Sequence, residues 1–68
     1  MKTYQLGMET RYAAFAMQQW VENDMPCDIN VKKAKTEGLI IIEVTDAELA
    51  NKILLKTRCK VFIKDSNY

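Results

Sequence analysis

Histidine is absent from this 68-residue chain. That removes His-dependent catalytic triads, imidazole general bases and His-ligated metal sites. Only two cysteines are present. They are too few for a Cys₄ zinc site, and no histidine can complete a mixed one. Proline occurs once and glycine twice, so the chain has no Gly/Pro-rich linker and no glycine-rich phosphate cradle. The formal net charge is only +1, which argues against a strongly basic nucleic-acid wrapper or an acidic tail. Long apolar runs are missing too. The longest aliphatic stretch is Leu39 to Ile42, far short of the roughly 20 residues that span a bilayer. The N-terminus lacks the apolar segment of about 7–15 residues that marks a secretory signal. The expected setting is therefore cytoplasmic, with Cys27 and Cys59 reduced and no membrane partner. A Met start and a polar C-terminal end, Asp65-Ser66-Asn67-Tyr68, read as a complete small gene product. Residues 1–68 are expected to form a single α+β domain, near the lower size limit for a self-sufficient core.

What the chain does contain is periodicity. Residues 2–8 alternate, with Tyr4, Leu6 and Met8 on one face and Thr3, Gln5 and Gly7 on the other, which is the period of a half-buried strand. Residues 10–24 are rich in helix formers, with Thr10 as the expected N-cap. Ala13, Ala16, Met17 and Trp20 fall on one stripe at about 100° per residue, and Phe15 falls with the polar set. Pro26 ends this helix, because a residue before proline avoids helical dihedrals. Residues 27–32 alternate again, with Cys27, Ile29 and Val31 expected inward. Lys33 to Gly38 is a polar turn in which Gly38 supplies a positive φ. A strand follows at 39–44, with Ile40, Ile42 and Val44 inward, and Leu39, Ile41 and Glu43 outward. Thr45-Asp46-Ala47-Glu48 has the form of a capping box before a second helix. Ala47, Leu49, Ala50, Ile53 and Leu54 form its apolar face, and Leu55 points away from it. The last strand spans 59–64, with Cys59, Val61 and Ile63 inward, and Lys60, Phe62 and Lys64 outward.

The order strand-helix-strand-strand-helix-strand predicts a ferredoxin-like split βαβ fold. It is a four-stranded antiparallel sheet in the order 4-1-3-2, with two helices on one face and the other face open. In that order Cys27 and Cys59 lie on opposite edges, roughly 14 Å apart. A disulfide needs Cα atoms within about 7 Å, so both cysteines are expected to be free core residues.

The same topology occurs in the RNA-recognition motif, and Tyr4, Gly7 and Met8 stand in suitable places on the first strand. That family carries stacking aromatics where Leu39 and Ile41 stand here, so the chain is not assigned to it. No Cys-x-x-Cys loop follows the first strand, as metal carriers of this topology require. Nine carboxylates are present, yet none pairs with another in the spacing of an acid/base couple. No catalytic residue, cofactor or metal site is expected, and the chain is read as a non-enzyme.

The residues left over after core and caps define two expectations. The first is protein binding through Leu39, Ile41 and Phe62 on the open sheet face, with Phe15 and Leu55 on the outer sides of the helices. An apolar centre with a charged rim is the anatomy of a protein interface. The partner would be another protein or a second copy in a homodimer. The role would be that of a small regulator, inhibitor or adaptor, as with viral proteins that block a host machine. The alternative is nucleic-acid binding through Lys32, Lys33, Lys35, Lys60 and Lys64, with Phe62 as a stacking ring. Edge-strand protection accounts for the same lysines without any ligand.

Overall fold

The computed structural model describes residues 2–65, with side chains from 2 to 60. Strand β1 is Lys2–Glu9, followed by a single 3₁₀ turn at Thr10–Tyr12 and helix α1 at Ala13–Glu22. Strands β2 at Asn30–Lys33 and β3 at Leu39–Val44 form a hairpin, α2 is Ala47–Thr57, and β4 is Lys60–Asp65. The strands run antiparallel in the order β2-β3-β1-β4.

The expectation of a four-stranded ferredoxin-like sheet in the order 4-1-3-2 is corrected to a coarser description. The strands whose side chains are described throughout form a three-stranded antiparallel unit in the order β1-β3-β2, with two helices. Strand β4 is placed on β1 by backbone register alone, from Lys2 opposite Asp65 to Gly7 opposite Lys60. The supported class is a small α+β fold. The expected orientations of Val61, Phe62, Ile63 and Lys64 lie outside the described side chains.

One face of β1 and β3 makes the core. Leu6, Met8, Ile42 and Val44 are buried there, together with Leu49, Ala50 and Ile53 of α2 and Ala16 of α1. The period of two on the strands supplies the first set, and the 3.6-residue stripe of α2 supplies the second. Tyr4, Tyr12, Trp20, Cys27, Ile29, Ile40 and Cys59 pack around this centre half-buried.

The helices are held differently. Asp46 caps α2, its Oδ1 accepting from the Leu49 amide at 2.8 Å. The expected Thr45 capping box is therefore shifted by one residue, because the aspartate reaches the amide three residues on. Ala47 is exposed and Leu54 half-buried, while Thr57, unforeseen, is buried. Its hydroxyl donates to the Ile53 carbonyl at 2.7 Å, so the buried oxygen is satisfied within the helix. Arg58 ends α2 in the left-handed region at φ 49°.

Helix α1 has no side-chain cap and one buried residue, Ala16. Thr10 is not its N-cap. The Thr10 amide and hydroxyl both donate to the Gly38 carbonyl at 3.1 Å, which ties the 3₁₀ turn to the β2–β3 connection. Asp24 and Met25 then take left-handed dihedrals at φ 61° and 49° and turn the chain before Pro26. Trp20 Nε1 donates to the Cys27 carbonyl at 2.7 Å. This holds residues near Cys27 against α1, so the second strand starts at Asn30 instead of Cys27. Lys52 Nζ donates to Asn23 Oδ1 and joins the end of α1 to α2.

Strand β2 is short and exposed along its whole length. Val31, expected inward, is 51% exposed. It stands opposite buried Ile42, but at the sheet edge. Gly38 has φ 82°, the conformation its turn position requires.

Candidate functional site

The open sheet face carries a polar cluster next to an apolar strip. Three strands supply the cluster. Gln5 on β1 and Asn30 on β2 both stand opposite Glu43 on β3. Gln5 Nε2 donates to Glu43 Oε2 at 2.7 Å, and Asn30 Nδ2 donates to Oε1 at 2.9 Å. Lys32 Nζ lies 3.1 Å from Oε1. The carboxylate is thus held from both sides, and its side chain is only 13% exposed. These partners keep the Glu43 carboxyl below its ordinary value. The Gln5 hydrogen bond contributes most and Lys32 next, with partial burial opposing and Asn30 adding to the lowering.

The next row across the sheet is apolar at its centre. Ile41 is half-buried on β3, with Lys32 opposite on β2 and Gly7 opposite on β1. Lys60 is registered against Gly7 from β4. Among the described residues no heavy atom lies within 4 Å of where a Gly7 Cβ would stand, which leaves a notch between Ile41 and Lys60. Leu39 continues the strip, half-buried and opposite Glu9.

The strip runs into a cleft of about 250 Å³ at the end of the sheet. Gly7, Met8 and Leu39 line it from β1 and β3, Tyr12 from the 3₁₀ turn, Arg58 from the α2–β4 connection and Lys60 from the start of β4. Glu9 also lines it, but its carboxylate pairs with Arg11 at 2.8 Å. The Arg11 guanidinium lies 4.8 Å from the centre of the Tyr12 ring, near enough for a cation–π contact. Thr57 completes the wall.

The expected site residues therefore separate into groups. Leu39 and Ile41 share the open face, with Lys32 and Lys60 in the flanking register. Phe15 and Leu55 are exposed, 48% and 76%, on the two helices. Phe15 packs its ring against Tyr12 with centroids 6.3 Å apart. Phe62 and Lys64 stand opposite Gln5 and Thr3 in backbone register, and their side chains lie outside the described ones. Lys33 stands opposite Ile40, on the reverse face from Lys32 by strand alternation. Lys35 lies in the β2–β3 turn. The expected run of lysines is thus divided between two faces and a turn.

Sequence reasoning missed the Glu43 cluster and the cleft. Both depend on pairings across the sheet: Gln5 lies 38 residues from Glu43, and the cleft joins β1, β3 and the end of α2. Cys27 and Cys59 are free and half-buried. Among the described residues, no group of three or more His, Cys, Asp or Glu could hold a metal ion. No described helix is long and apolar enough to cross a membrane. Comparison with protein-family models finds none that matches, and comparison with curated proteins finds no significant match.

Proposed function

We propose that this chain is a non-enzymatic protein-binding module that works through its open sheet face. The observation that carries this reading is the Leu39–Ile41 strip beside the Gly7 notch, framed by Glu43, Lys32 and Lys60. Two branched aliphatic side chains stand on the solvent side of a central strand, where the same strand already has Ile40, Ile42 and Val44 for the core. A small apolar centre within a polar frame suits a partner's apolar side chain. The Glu43 cluster adds rigidity, since it ties three strands together under the surface a partner would meet. The role that fits is a small regulator, inhibitor or adaptor.

The test is the double variant Leu39→Lys/Ile41→Lys. Its circular-dichroism spectrum should match the parent, because neither residue belongs to the buried core. Self-association measured by sedimentation velocity, and binding of acidic or apolar peptide probes, should both be lost. A double variant that associates and binds like the parent would contradict the reading.

A further inference from the structure

The chemistry of the partner can be narrowed from what surrounds the strip. Gly7, Leu39 and Lys60 belong both to the open face and to the cleft at the end of the sheet. The two features meet at these three residues. Their apolar part is Ile41 and Leu39, with the half-buried Tyr12 at the cleft wall. Of their described charged groups, Glu43 and Lys32 are engaged with each other, which leaves the cations at the cleft to meet a partner. Arg58 and Lys60 line the cleft, while its one carboxylate, Glu9, is already engaged by Arg11. At the other end of the Ile41 row stands Lys32, three strand spacings or about 14 Å from Lys60.

Arg58 is placed there by a backbone feature. It holds φ 49° as the C-cap of α2, a conformation that glycine adopts at little cost and arginine does not. A left-handed arginine turns the chain sharply from α2 into β4 and sets its side chain at the cleft wall. The carbonyl end of α2 disfavours an anion nearby, so recognition of negative charge would rest on the Arg58 guanidinium and the Lys60 ammonium. A guanidinium suits a planar carboxylate well, because its paired N–H groups match the two oxygens.

Building on the open-face reading, we propose that the partner is an acidic–aliphatic peptide segment of another protein. A carboxylate would sit between Arg58 and Lys60 in the cleft, and a neighbouring aliphatic side chain would rest on Leu39 and Ile41 over the Gly7 notch. In an extended segment, alternate side chains point to opposite sides and each residue advances about 3.3 Å. A carboxylate and an aliphatic side chain two positions apart can therefore reach both places from one face. Single-stranded nucleic acid fits less well. The described strip has aliphatic side chains and a glycine where stacking rings would be needed, and Lys33 faces away from Lys32.

The probe (the Glu–Leu peptide) is a fluorescein-labelled peptide of the repeat Glu-Ser-Leu-Ser, which sets Glu and Leu two positions apart on one face of an extended strand. The same peptide with Gln for Glu (the Gln–Leu peptide) and an oligothymidylate are the controls. Fluorescence anisotropy at low salt should show saturable binding of the Glu–Leu peptide and little binding of the other two. Arg58→Gln/Lys60→Gln should weaken it by about tenfold or more, the scale of losing a charge-assisted contact. The circular-dichroism spectrum should not change. Gly7→Val should weaken it as well by filling the notch; valine suits a strand, and the space is open.

Several results would overturn the proposal: no saturable binding, equal binding of the Gln–Leu peptide, binding untouched by the charge variant, or preferential binding of the oligothymidylate. The outcomes also separate the two readings. If Leu39→Lys/Ile41→Lys abolishes binding while Arg58→Gln/Lys60→Gln does not, the open face stands and the acidic partner falls. If neither variant affects binding, both fall.

Discussion

The two faces of β1 and β3 use the same strand alternation to opposite ends. Beneath α2, Leu6, Met8, Ile42 and Val44 are closed off from water by Leu49, Ala50 and Ile53. On the other face, Gln5 and Glu43 are joined by hydrogen bonds, and Ile41 and Leu39 stand half-buried beside a glycine. One face is covered by apolar contact with its own chain. The other is ordered by polar contacts between strands, and no described helix covers it. The contrast shows how a chain of 68 residues divides its limited apolar content: enough to close one face, with a short strip left on the second.

Substitutions on the two faces should therefore fail in different ways. The largest effect is expected in the core. Ile53→Ala removes a fully buried side chain at the centre of the α2–sheet contact and should cost about 2–5 kcal/mol of stability in chemical denaturation. In a domain this small that would be a large part of the total. Asp46→Ala removes the α2 cap and should cost about 1 kcal/mol, with Asp46→Asn recovering much of it. On the open face, Glu43→Gln should cost at most about 1 kcal/mol at neutral pH, because Lys32 is half exposed, and its clearest signature should lie in pH dependence.

The direction of that dependence follows from the lowered Glu43 carboxyl. A group whose folded value lies below its unfolded value contributes stability above the unfolded value. That contribution disappears as pH falls through the lowered folded value, so the window lies below the ordinary 4.5. Parent protein should lose thermal stability on acidification there, and Glu43→Gln should show a shallower loss. Equal slopes for the two proteins would remove Glu43 from the account of the open face. The smallest effect is expected at Leu55→Gln, on the outer side of α2, where the change should be within about 0.5 kcal/mol and binding should be unaltered.

Much of the fold was legible because it rests on local periodicity. The alternation of Tyr4, Leu6 and Met8, the inward Ile42 and Val44, and the stripe through Ala16 on α1 follow from residue spacing alone. Gly38 with its positive φ followed from the turn composition. Other features depended on contacts between distant segments. The Trp20 bond to the Cys27 carbonyl delayed β2, the Gly38 carbonyl drew Thr10 away from a capping role, and the Ile53 carbonyl allowed Thr57 to be buried. The candidate site was legible only in part. Leu39 and Ile41 could be assigned to the open face from Glu43 on the same strand. The partners of Glu43, the notch at Gly7 and the joining of Leu39 to Arg58 depended on which residues face each other across the sheet.

The most direct test maps contact on the folded protein itself. Amide chemical shifts of ¹⁵N-labelled protein would be followed while the Glu-Ser-Leu-Ser repeat peptide is added. Binding through the open face predicts saturable shifts centred on Gly7, Leu39, Ile41 and Arg58, with Val21 and Leu55 unmoved. Shifts centred on Phe15 and Leu55, or no saturable shift anywhere, would contradict it.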